Sequence, residues 1–585
     1  MSIPRPEHPK PQFYRPNWKN LNGTWDFLFD FSNSGVARHF ERHFDTQEYR
    51  TITVPFCPES PLSGIGHTDF IPAVWYQRSF SLSKKQLQGR ILIHFGAVDF
   101  HSILWVNGQK AGEHKGGYTS FSFDITAQVT EGKNTLILYA EDDLRSGKQP
   151  MGKQCLSYHS AVCSYTRTTG IWQTVWLEFV PKNYIKYVKT DTFAEDGTIM
   201  LQAEIAGDDT FQATVSYKGK VIDEGASVTT GGLAALTLKV PAPMLWDIGQ
   251  PHLYDLTFSL ASGDRVDSYC GFRKIALKNG AFYLNDRPVF MRTVLDQGFN
   301  PDGIYTAPNE EFLKRDIELS MELGFNGARF HQRIFEERSL YWADKLGYLV
   351  WSEYANGDFI STADRMQILL PEWLEAMKRD YNHPAIIGWA PENEYYHQAG
   401  GDTANLENLY RITKMMDPYR PVIDSSGGPH GLTDLYDSHD YIQDPEEFKS
   451  NYKKMEEDPS YAFLPKKPKR FGNNYDHYAG QPYWVSEYGG AIWSPDRTDG
   501  WGYGNAPQTE EEFAERYAKL TQVLLENPRI CGFCYTQLTD VEQEQNGLYK
   551  YDRSRKFSDE TYEIIRSTNQ SKAAIEEEKS KNRSL

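Results

Sequence analysis

The chain has 585 residues and a net charge of −17, with an isoelectric point near 5.4. The acidic balance argues against a surface that binds nucleic acid or another polyanion. Six cysteines are too few for a disulfide scaffold, and no apolar run approaches the ~18 residues of a membrane span. The N-terminus has no apolar signal-peptide core. We therefore expect a cytoplasmic protein that binds neither nucleic acid nor membrane, with about three to five domains.

The first half of the chain is rich in short β-forming runs. In residues 1–180, runs such as 91–95 and 103–106 are followed by turn residues such as Asn107 and Gly108, without a helical period. This pattern predicts a jelly-roll β-sandwich. Residues 181–277 carry further β runs separated by Gly and Asp turns, and their number suits an immunoglobulin-like β-sandwich.

From Val289 onward, short apolar strands alternate with amphipathic helical segments. Helices are predicted over 310–323, 336–345 and 372–379, and the tail 571–585 is predicted to be a solvated helix or a frayed end. The rhythm predicts a (β/α)8 barrel, a TIM barrel, over 278–585, with an open doubly wound sheet as the main alternative. No Gly-x-Gly-x-x-Gly or P-loop motif supports nucleotide chemistry. The eight candidate strands are residues 289–294, 327–331, 348–353, 386–390, 422–425, 435–438, 483–487 and 530–535.

Polar residues terminate these candidate strands, where the active site of a barrel forms. Glu394 and Glu487 follow candidate strands 4 and 7, on opposite sides of the barrel mouth. Cleaving a glycosidic bond requires two such carboxylates across a cleft, one protonated and one ionised. Position alone leaves a salt-bridged loop glutamate as an equal alternative for either residue. The strand-end residues are Asp296, Gln297, Arg329, His331, Glu353, Asn393, Glu394, His439, Tyr441, Glu487 and Gln537.

Two segments carry a resemblance to a known family. Residues 382–394 read Asn-His-Pro-Ala-Ile-Ile-Gly-Trp-Ala-Pro-Glu-Asn-Glu, and residues 483–490 read Tyr-Trp-Val-Ser-Glu-Tyr-Gly-Gly. They resemble the acid/base and nucleophile segments of glycoside hydrolase family 2. Residues 20–27 and 170–176 resemble the start and end of that family's sugar-binding jelly roll, and residues 245–273 resemble its immunoglobulin-like domain. The resemblance covers nearly the whole chain.

The resemblance implies a retaining glycosidase with Glu394 as the general acid/base and Glu487 as the nucleophile. Asn393 would then bind the sugar 2-hydroxyl, and Arg329 would keep Glu487 ionised. His439 or Tyr441 would orient Glu487. Glu353 is expected in the site unless it pairs with a base at the barrel mouth, and His331 is either a substrate contact or a buried strand-end histidine.

Departures from the family pattern bear on the substrate. The family often has Arg-Gly-Val-Asn-x-His after strand 1, where this chain has Arg-Thr-Val-Leu-Asp296-Gln. Tyr535, followed by Thr-Gln537, aligns best with the tryptophan that stacks beneath the sugar. The Asn-x-Lys by which β-glucuronidases bind a uronate reads Glu544-Gln-Asn546 here. A neutral sugar is therefore predicted, with β-galactoside first and arabinofuranoside, galactofuranoside, glucoside or glucuronide as alternatives.

Other candidate motifs support no different chemistry. No Cys/His cluster has zinc spacing, so neither a metal nor another cofactor is expected, with a structural divalent ion held by scattered carboxylates left open. Cys531 and Cys534 are interpreted as packing residues, and His383 as structural. The expected partner is a small glycoside or oligosaccharide, with homo-oligomerisation left open. A non-catalytic carbohydrate-binding protein is the competing function, although the presence of both glutamates argues against a degenerate site.

Overall fold

The computed structural model describes residues 3–355, 360–361, 363–395, 403–464, 478–495 and 500–581. Its first domain contains two facing antiparallel sheets, in strand order β1-β12-β5-β9 and β3-β2-β4-β10-β7-β8. Alternate residues of the strands, such as Ile91, Ile93 and Phe95, are buried in the core between the sheets. The elements are β1 (Trp18–Asn20), β2 (Gly23–Phe29), α1 (Phe40–His43), β3 (Arg50–Val54), β4 (Ala73–Leu82), β5 (Arg90–Phe95), β6 (Val98–Asp99), β7 (His101–Val106), β8 (Gln109–Lys115), β9 (Phe121–Asp124), β10 (Gly132–Glu141), β11 (Gly170–Ile171) and β12 (Val175–Val180).

The second domain is a smaller antiparallel sandwich. A three-stranded sheet, β13-β14-β17, packs on a four-stranded sheet, β16-β15-β18-β19. Strand β14 buries Ile199, Leu201, Ala203 and Ile205 and leaves the alternate residues exposed or half-buried, as expected for a sheet with one solvated face. The strands are β13 (Tyr184–Phe193), β14 (Thr198–Ala206), β15 (Thr210–Tyr217), β16 (Lys220–Val228), β17 (Leu233–Lys239), β18 (Tyr254–Leu260) and β19 (Arg265–Cys270).

The third domain follows a small sheet of β20 (Ile275–Lys278), β21 (Ala281–Leu284) and β22 (Arg287–Pro288). Its parallel strands follow the order β26-β25-β24-β23-β29-β28-β27, so the first and last strands are neighbours. This order belongs to a curled barrel sheet and not to an open doubly wound sheet. The elements are β23 (Met291–Asp296), α2 (Glu310–Glu322), β24 (Gly327–Phe330), α3 (Glu337–Leu346), β25 (Leu349–Glu353), α4 (Arg365–Asp380), β26 (Ile386–Ala390), α5 (Ala404–Met416), β27 (Tyr436–Asp440), α6 (Pro445–Glu457), β28 (Tyr483–Gly489), α7 (Glu510–Glu526), β29 (Ile530–Thr536), α8 (Asp559–Asn569) and α9 (Ala574–Lys581).

Seven of the eight predicted barrel strands form regular ladders within the described residues, and the fifth does not. Residues 421–426 run beside β26 and the loop after it, and they are paired there through two isolated parallel bridges, Trp389 with Val422 and Asn393 with Ser426. Asp424 accepts hydrogen bonds from the backbone of the loop that follows it, at 2.6 Å from the nitrogen of Gly431. A side chain that binds nearby backbone in this way competes with a regular ladder.

The described part of the C-terminal tail, which ends at Lys581, includes a helix as predicted, but this helix is docked on the barrel and is not simply solvated. Ala573 and Ile575 are buried. Glu576 accepts a hydrogen bond from the backbone nitrogen of Phe290 at 2.9 Å and pairs with Arg292 at 2.9 Å. Phe290 and Arg292 lie at the start of β23, so the tail covers the end of the barrel opposite the strand carboxyl ends. None of the described helices is long and apolar enough to cross a membrane.

Candidate active site

The carboxyl ends of the barrel strands bring most of the predicted residues together. Parallel strands place their C-terminal ends at one mouth of the barrel, and alternate residues point inward. The inward set is held together by hydrogen bonds and ion pairs, and it comprises Arg329, His331, Glu353, Asn393, Glu394, His439, Tyr441 and Glu487.

Arg329 is the fully buried cation at the centre of this set. Its Nη1 donates to Oε1 of Glu487 at 2.8 Å, and its Nη2 donates to Oδ1 of Asn393 at 2.9 Å. Its Nε donates to Glu353. The planar guanidinium has five donors in a fixed geometry, so one side chain sets the positions of three groups, from β25, from β28 and from the loop after β26.

Glu353 and His331 support Arg329 from below the mouth. Oε2 of Glu353 lies 2.8 Å from Nδ1 of His331 and accepts from the backbone nitrogen of Gln332 at 3.2 Å. Burial favours the neutral acid, but Arg329 and His331 hold the pKa of Glu353 below its usual value. Burial also lowers the pKa of His331. Glu353 therefore takes the alternative position considered above, paired with a base at the barrel mouth.

Glu487, on β28, is buried and ionised. The Tyr441 hydroxyl donates to its Oε2, and Nδ1 of His439 lies 3.3 Å from the same oxygen. Burial would raise the pKa of Glu487, but His439 and Arg329 together hold it well below the usual value. A carboxylate kept charged in this way can act as a nucleophile at neutral pH.

Glu394 differs from Glu487 in the exposure of its side chain and in its backbone conformation. Its side chain is 39% exposed, and its φ of 46° lies in the left-handed region that non-glycine residues rarely adopt. Its amide donates to the carbonyl of Ser426 at 2.9 Å, which holds this conformation. Such strain persists only where surrounding contacts enforce it, and it is concentrated at functional sites. Oε1 of Glu394 lies 2.6 Å from Nδ1 of His439.

The two carboxylates are close to each other. A distance of at most 4.8 Å separates any two of three atoms: a carboxylate oxygen of Glu394, a ring nitrogen of His439 and a carboxylate oxygen of Glu487. Among the residues that the structure describes, this is also the one cluster of histidine, cysteine and acidic side chains whose geometry could hold a metal ion. The expectation that no metal or other cofactor is bound stays a prediction.

Two predicted site residues point away from the barrel axis. On β23, the side chain of Asp296 points to the same outer side of the sheet as that of Arg292, four residues earlier. Burial and the neighbouring Asp316 of α2 raise the pKa of Asp296 to about 7. On β29, Tyr535 packs its ring on Tyr517 of α7, with centroids 4.8 Å apart. Strand residues alternate between the core and the helices outside it, and these two side chains lie on the outer side, so the geometry does not support their predicted contact with the sugar.

Gln537 and Glu544 form a buried polar chain beside the site. Nε2 of Gln537 donates to Asn546 at 2.8 Å, and Nδ2 of Asn546 donates to Oε1 of Glu544 at 2.9 Å. The Tyr165 hydroxyl, from the first domain, donates to the other oxygen of Glu544. Burial raises the pKa of Glu544. Both oxygens of Glu544 thus already accept hydrogen bonds within the protein.

The first domain also contributes a cation that the sequence analysis missed. Lys153 lies in the loop that pairs with Tyr165 and rests on the barrel loop around Gln543. Burial works against its charge, but Cys163 and the carboxylates of Glu544, Glu487 and Glu394 raise the pKa of Lys153. A lysine in a β-rich loop gives no signal of this location in the sequence, because only domain packing brings it to the barrel mouth.

Three further side chains at the mouth were also missed. Tyr503 stacks its ring on Tyr441, with the planes 4° apart. The Thr536 hydroxyl lies 3.1 Å from the Tyr441 oxygen, and Ser426 contacts His439. Thr536 follows Tyr535 directly, so the strand parity of β29 could have identified it. Tyr503 and Ser426 lie in irregular segments, where no periodicity applies.

The solved structures that match this chain share its architecture. A β-glucuronidase from Ruminococcus gnavus superposes with a TM-score of 0.78 and 17% identity, over 95% of this chain and 98% of that one. A β-galacturonidase from Eisenbergiella tayi gives a TM-score of 0.75 and 19% identity, over 97% of this chain and 98% of that one. These similarities show the fold.

Curated relatives have somewhat higher identity. A β-glucuronidase from Felis catus is 28% identical over 69% of this chain and 68% of its own length. A β-galactosidase from Leuconostoc mesenteroides is 25% identical over 70% of this chain and 42% of its own length. A relative from Formosa agariphila is 27% identical over 69% of this chain and is matched over 50% of its length.

Three family models match the chain in succession. The sugar-binding domain of glycosyl hydrolases family 2 matches residues 18–145, a further domain of family 2 matches residues 183–273, and its TIM-barrel domain matches residues 275–497. Their order is the order of the three domains described above. The chain belongs to glycoside hydrolase family 2.

Proposed function

We propose that this chain is a retaining exo-β-glycosidase in which Glu487 is the nucleophile and Glu394 the general acid/base. The observation that carries the proposal is the pair of carboxylates with oxygens within 4.8 Å and unlike surroundings. Retaining glycosidases have carboxyl groups about 5–5.5 Å apart, whereas inverting enzymes leave about 6.5–9.5 Å for a water molecule. The short separation supports a covalent intermediate.

In the first half of the reaction, the ionised Glu487 attacks the anomeric carbon while Glu394 protonates the departing oxygen. Arg329 and Tyr441 each bind Glu487 and aim its carboxylate. Arg329 also fixes the side chain of Asn393, which we assign to the sugar 2-hydroxyl. The glycosidic bond breaks as the ester bond to Glu487 forms.

In the second half, Glu394 removes a proton from water and the resulting hydroxide displaces Glu487 from the anomeric carbon. The 39% exposure of the Glu394 side chain suits a group that meets first an aglycone and then water. Two displacements at one carbon retain the anomeric configuration. Glu487, at 5% side-chain exposure, is far less accessible to water than Glu394.

Two classes of terminal sugar are candidates. The neutral β-galactoside predicted from the sequence agrees with the relatives named β-galactosidase. A uronide is the second candidate, because Lys153 supplies a cation at the barrel mouth and other relatives are named β-glucuronidase. Lys153 therefore weakens the earlier inference that a uronate would meet no cation. The same two carboxylates would act on either sugar.

The test uses a panel of 4-nitrophenyl β-glycosides containing galactoside, glucoside, glucuronide, galacturonide and the furanosides. For the glycoside that is hydrolysed, the anomeric signals of the released sugar are followed by NMR, and the first product formed is expected to be the β-anomer. Glu487→Gly is expected to lower turnover by about 10⁴-fold or more, with partial rescue by azide, which enters the vacated space as a nucleophile. An α-anomer as first product, or full activity of the variant, would contradict the proposal.

A further inference from the structure

We propose that His439 is a positioning residue that stores the proton delivered by Glu394, so that the two side chains act as one acid. The inference rests on the acid/base role of Glu394 in the proposed function and extends it. Nδ1 of His439 lies 2.6 Å from Oε1 of Glu394 and 3.3 Å from Oε2 of Glu487. One ring nitrogen thus faces both reacting carboxylates.

The other ring nitrogen has a defined protonation state. The hydroxyl of Ser426 donates its single hydrogen to Oδ2 of Asp437 at 2.8 Å. His430 pairs with the same aspartate at 3.1 Å; burial would raise the pKa of Asp437, but His430 lowers it and keeps Asp437 ionised. Ser426 can therefore only accept from Nε2 of His439, 3.3 Å away. With this hydrogen bond formed, Nε2 is the protonated ring nitrogen.

It follows that Nδ1 and Glu394 share one proton. With Nε2 protonated, Nδ1 either donates to Glu394 as part of an imidazolium or accepts from a protonated Glu394 carboxyl. The two states differ only in the position of a proton along a 2.6 Å hydrogen bond.

The charged groups around the ring favour the imidazolium in the free enzyme. Burial opposes the charge, yet Glu487 and Glu394 raise the pKa of His439, while Arg329 on β24 works in the opposite direction. Asp437, on the same strand as His439, adds a further negative charge behind Ser426. The proton is thus retained into a pH range where an isolated, ordinary carboxyl group would have lost it.

The reaction itself moves this proton. When Glu487 attacks the anomeric carbon, its negative charge is consumed in the ester, and the imidazolium loses a stabilising neighbour. The proton passes from Nδ1 to Glu394 and from Glu394 to the departing oxygen, leaving a neutral imidazole and an ionised Glu394. In the second half, Glu394 takes a proton from water, the ester bond to Glu487 breaks, and the proton returns to the pair. Atoms and charge balance over the cycle.

The first test needs no substrate. The enzyme is labelled with ¹⁵N in its histidine rings, and the signals of His439 are assigned by their loss in His439→Asn. In the free enzyme, Nε2 is expected to be protonated throughout, and Nδ1 to titrate with an apparent pKa above that of free histidine. Glu487→Gln, which removes the negative charge as the ester does, is expected to lower that apparent pKa by about one unit or more. An unprotonated Nε2, or an unchanged apparent pKa in Glu487→Gln, would overturn the proposal.

The second test is kinetic. His439→Asn retains a polar group beside Glu394 but cannot take up a proton, so the basic limb of the kcat/KM profile is expected to move at least about one unit to lower pH. The loss at pH 8 should then exceed the loss at pH 5 by about tenfold, and should be smaller for a dinitrophenyl leaving group. His39→Asn is the matched control, because His39 is exposed and has a left-handed backbone that asparagine adopts readily.

The two proposals fail in different ways. If kcat/KM of His439→Asn falls by the same factor at every pH, with both limbs of the pH profile unmoved, His439 has a purely structural role and the stored proton is contradicted. If the wild-type protein cleaves none of the glycosides in the panel, the proposed function fails, whereas the NMR titration of His439 still decides the protonation of the pair.

Discussion

The two sides of the catalytic cleft hold the same type of side chain in opposite ways. On the nucleophile side, Glu487 is almost fully buried and is bound by Arg329, Tyr441 and His439. On the acid side, Glu394 is 39% exposed, lies on a left-handed backbone and shares a short contact with His439. The two glutamates therefore have the unlike environments that the proposed roles require.

The comparison also indicates how the roles are coupled. His439 is the one residue in the set described here that contacts both glutamates. Its ring lies over Gly427, where a Cβ would stand 2.3 Å from the imidazole, so only glycine leaves room for it. A change of charge on one side of the cleft is thus transmitted to the other through one imidazole.

After the loss of the nucleophile itself in Glu487→Gly, the largest effect is expected from removing the acid. Glu394→Ala should lower kcat/KM by about 10² to 10⁴-fold for glycosides with poor leaving groups, since these need protonation. For a dinitrophenyl glycoside the loss should be far smaller. The measurement is kcat/KM against leaving-group pKa, with Glu560→Ala, an exposed change on α8, as control. Equal losses for good and poor leaving groups would remove the distinction between the two sides.

An intermediate effect is expected from weakening the nucleophile side. Tyr441→Phe removes a hydrogen bond to the ionised Glu487, a contact worth about 1.5–3 kcal/mol, so kcat/KM should fall by about 10 to 100-fold. Because this hydrogen bond lowers the pKa of Glu487, its loss should raise that pKa and move the acid limb of the profile to higher pH. Tyr419→Phe, at an exposed ring, is the control. A shifted basic limb with the acid limb in place would contradict the assignment.

The smallest effect on catalysis is expected outside the barrel axis. Tyr535→Leu should lower the free energy of unfolding by about 1–3 kcal/mol, because the ring packs on Tyr517 and Tyr488. We expect kcat/KM to change less than about twofold. Chemical denaturation and steady-state kinetics check the two parts separately. A rise in KM with unchanged stability would return Tyr535 to the sugar-binding surface.

Periodicity and motif together predicted much of the fold and of the site. Parallel strand ends must meet at one mouth of a barrel, so Arg329, Glu394 and Glu487 could be grouped without coordinates. The same reasoning failed for Asp296 and Tyr535, because a position at the end of a strand does not tell which side of the sheet the side chain faces. It also failed for the fifth strand, where Asp424 binds its own loop and breaks the ladder.

The sequence by itself determined the three-domain order, the family and the two glutamates, because these depend on local pattern and on motifs continuous in the chain. Only the tertiary structure decided what surrounds the glutamates. Lys153 and Tyr165 reach the barrel mouth from the first domain, and Ser426 contacts His439 from an irregular segment. Such contacts join residues far apart in the chain, and their charges set the pKa values on which the chemistry depends.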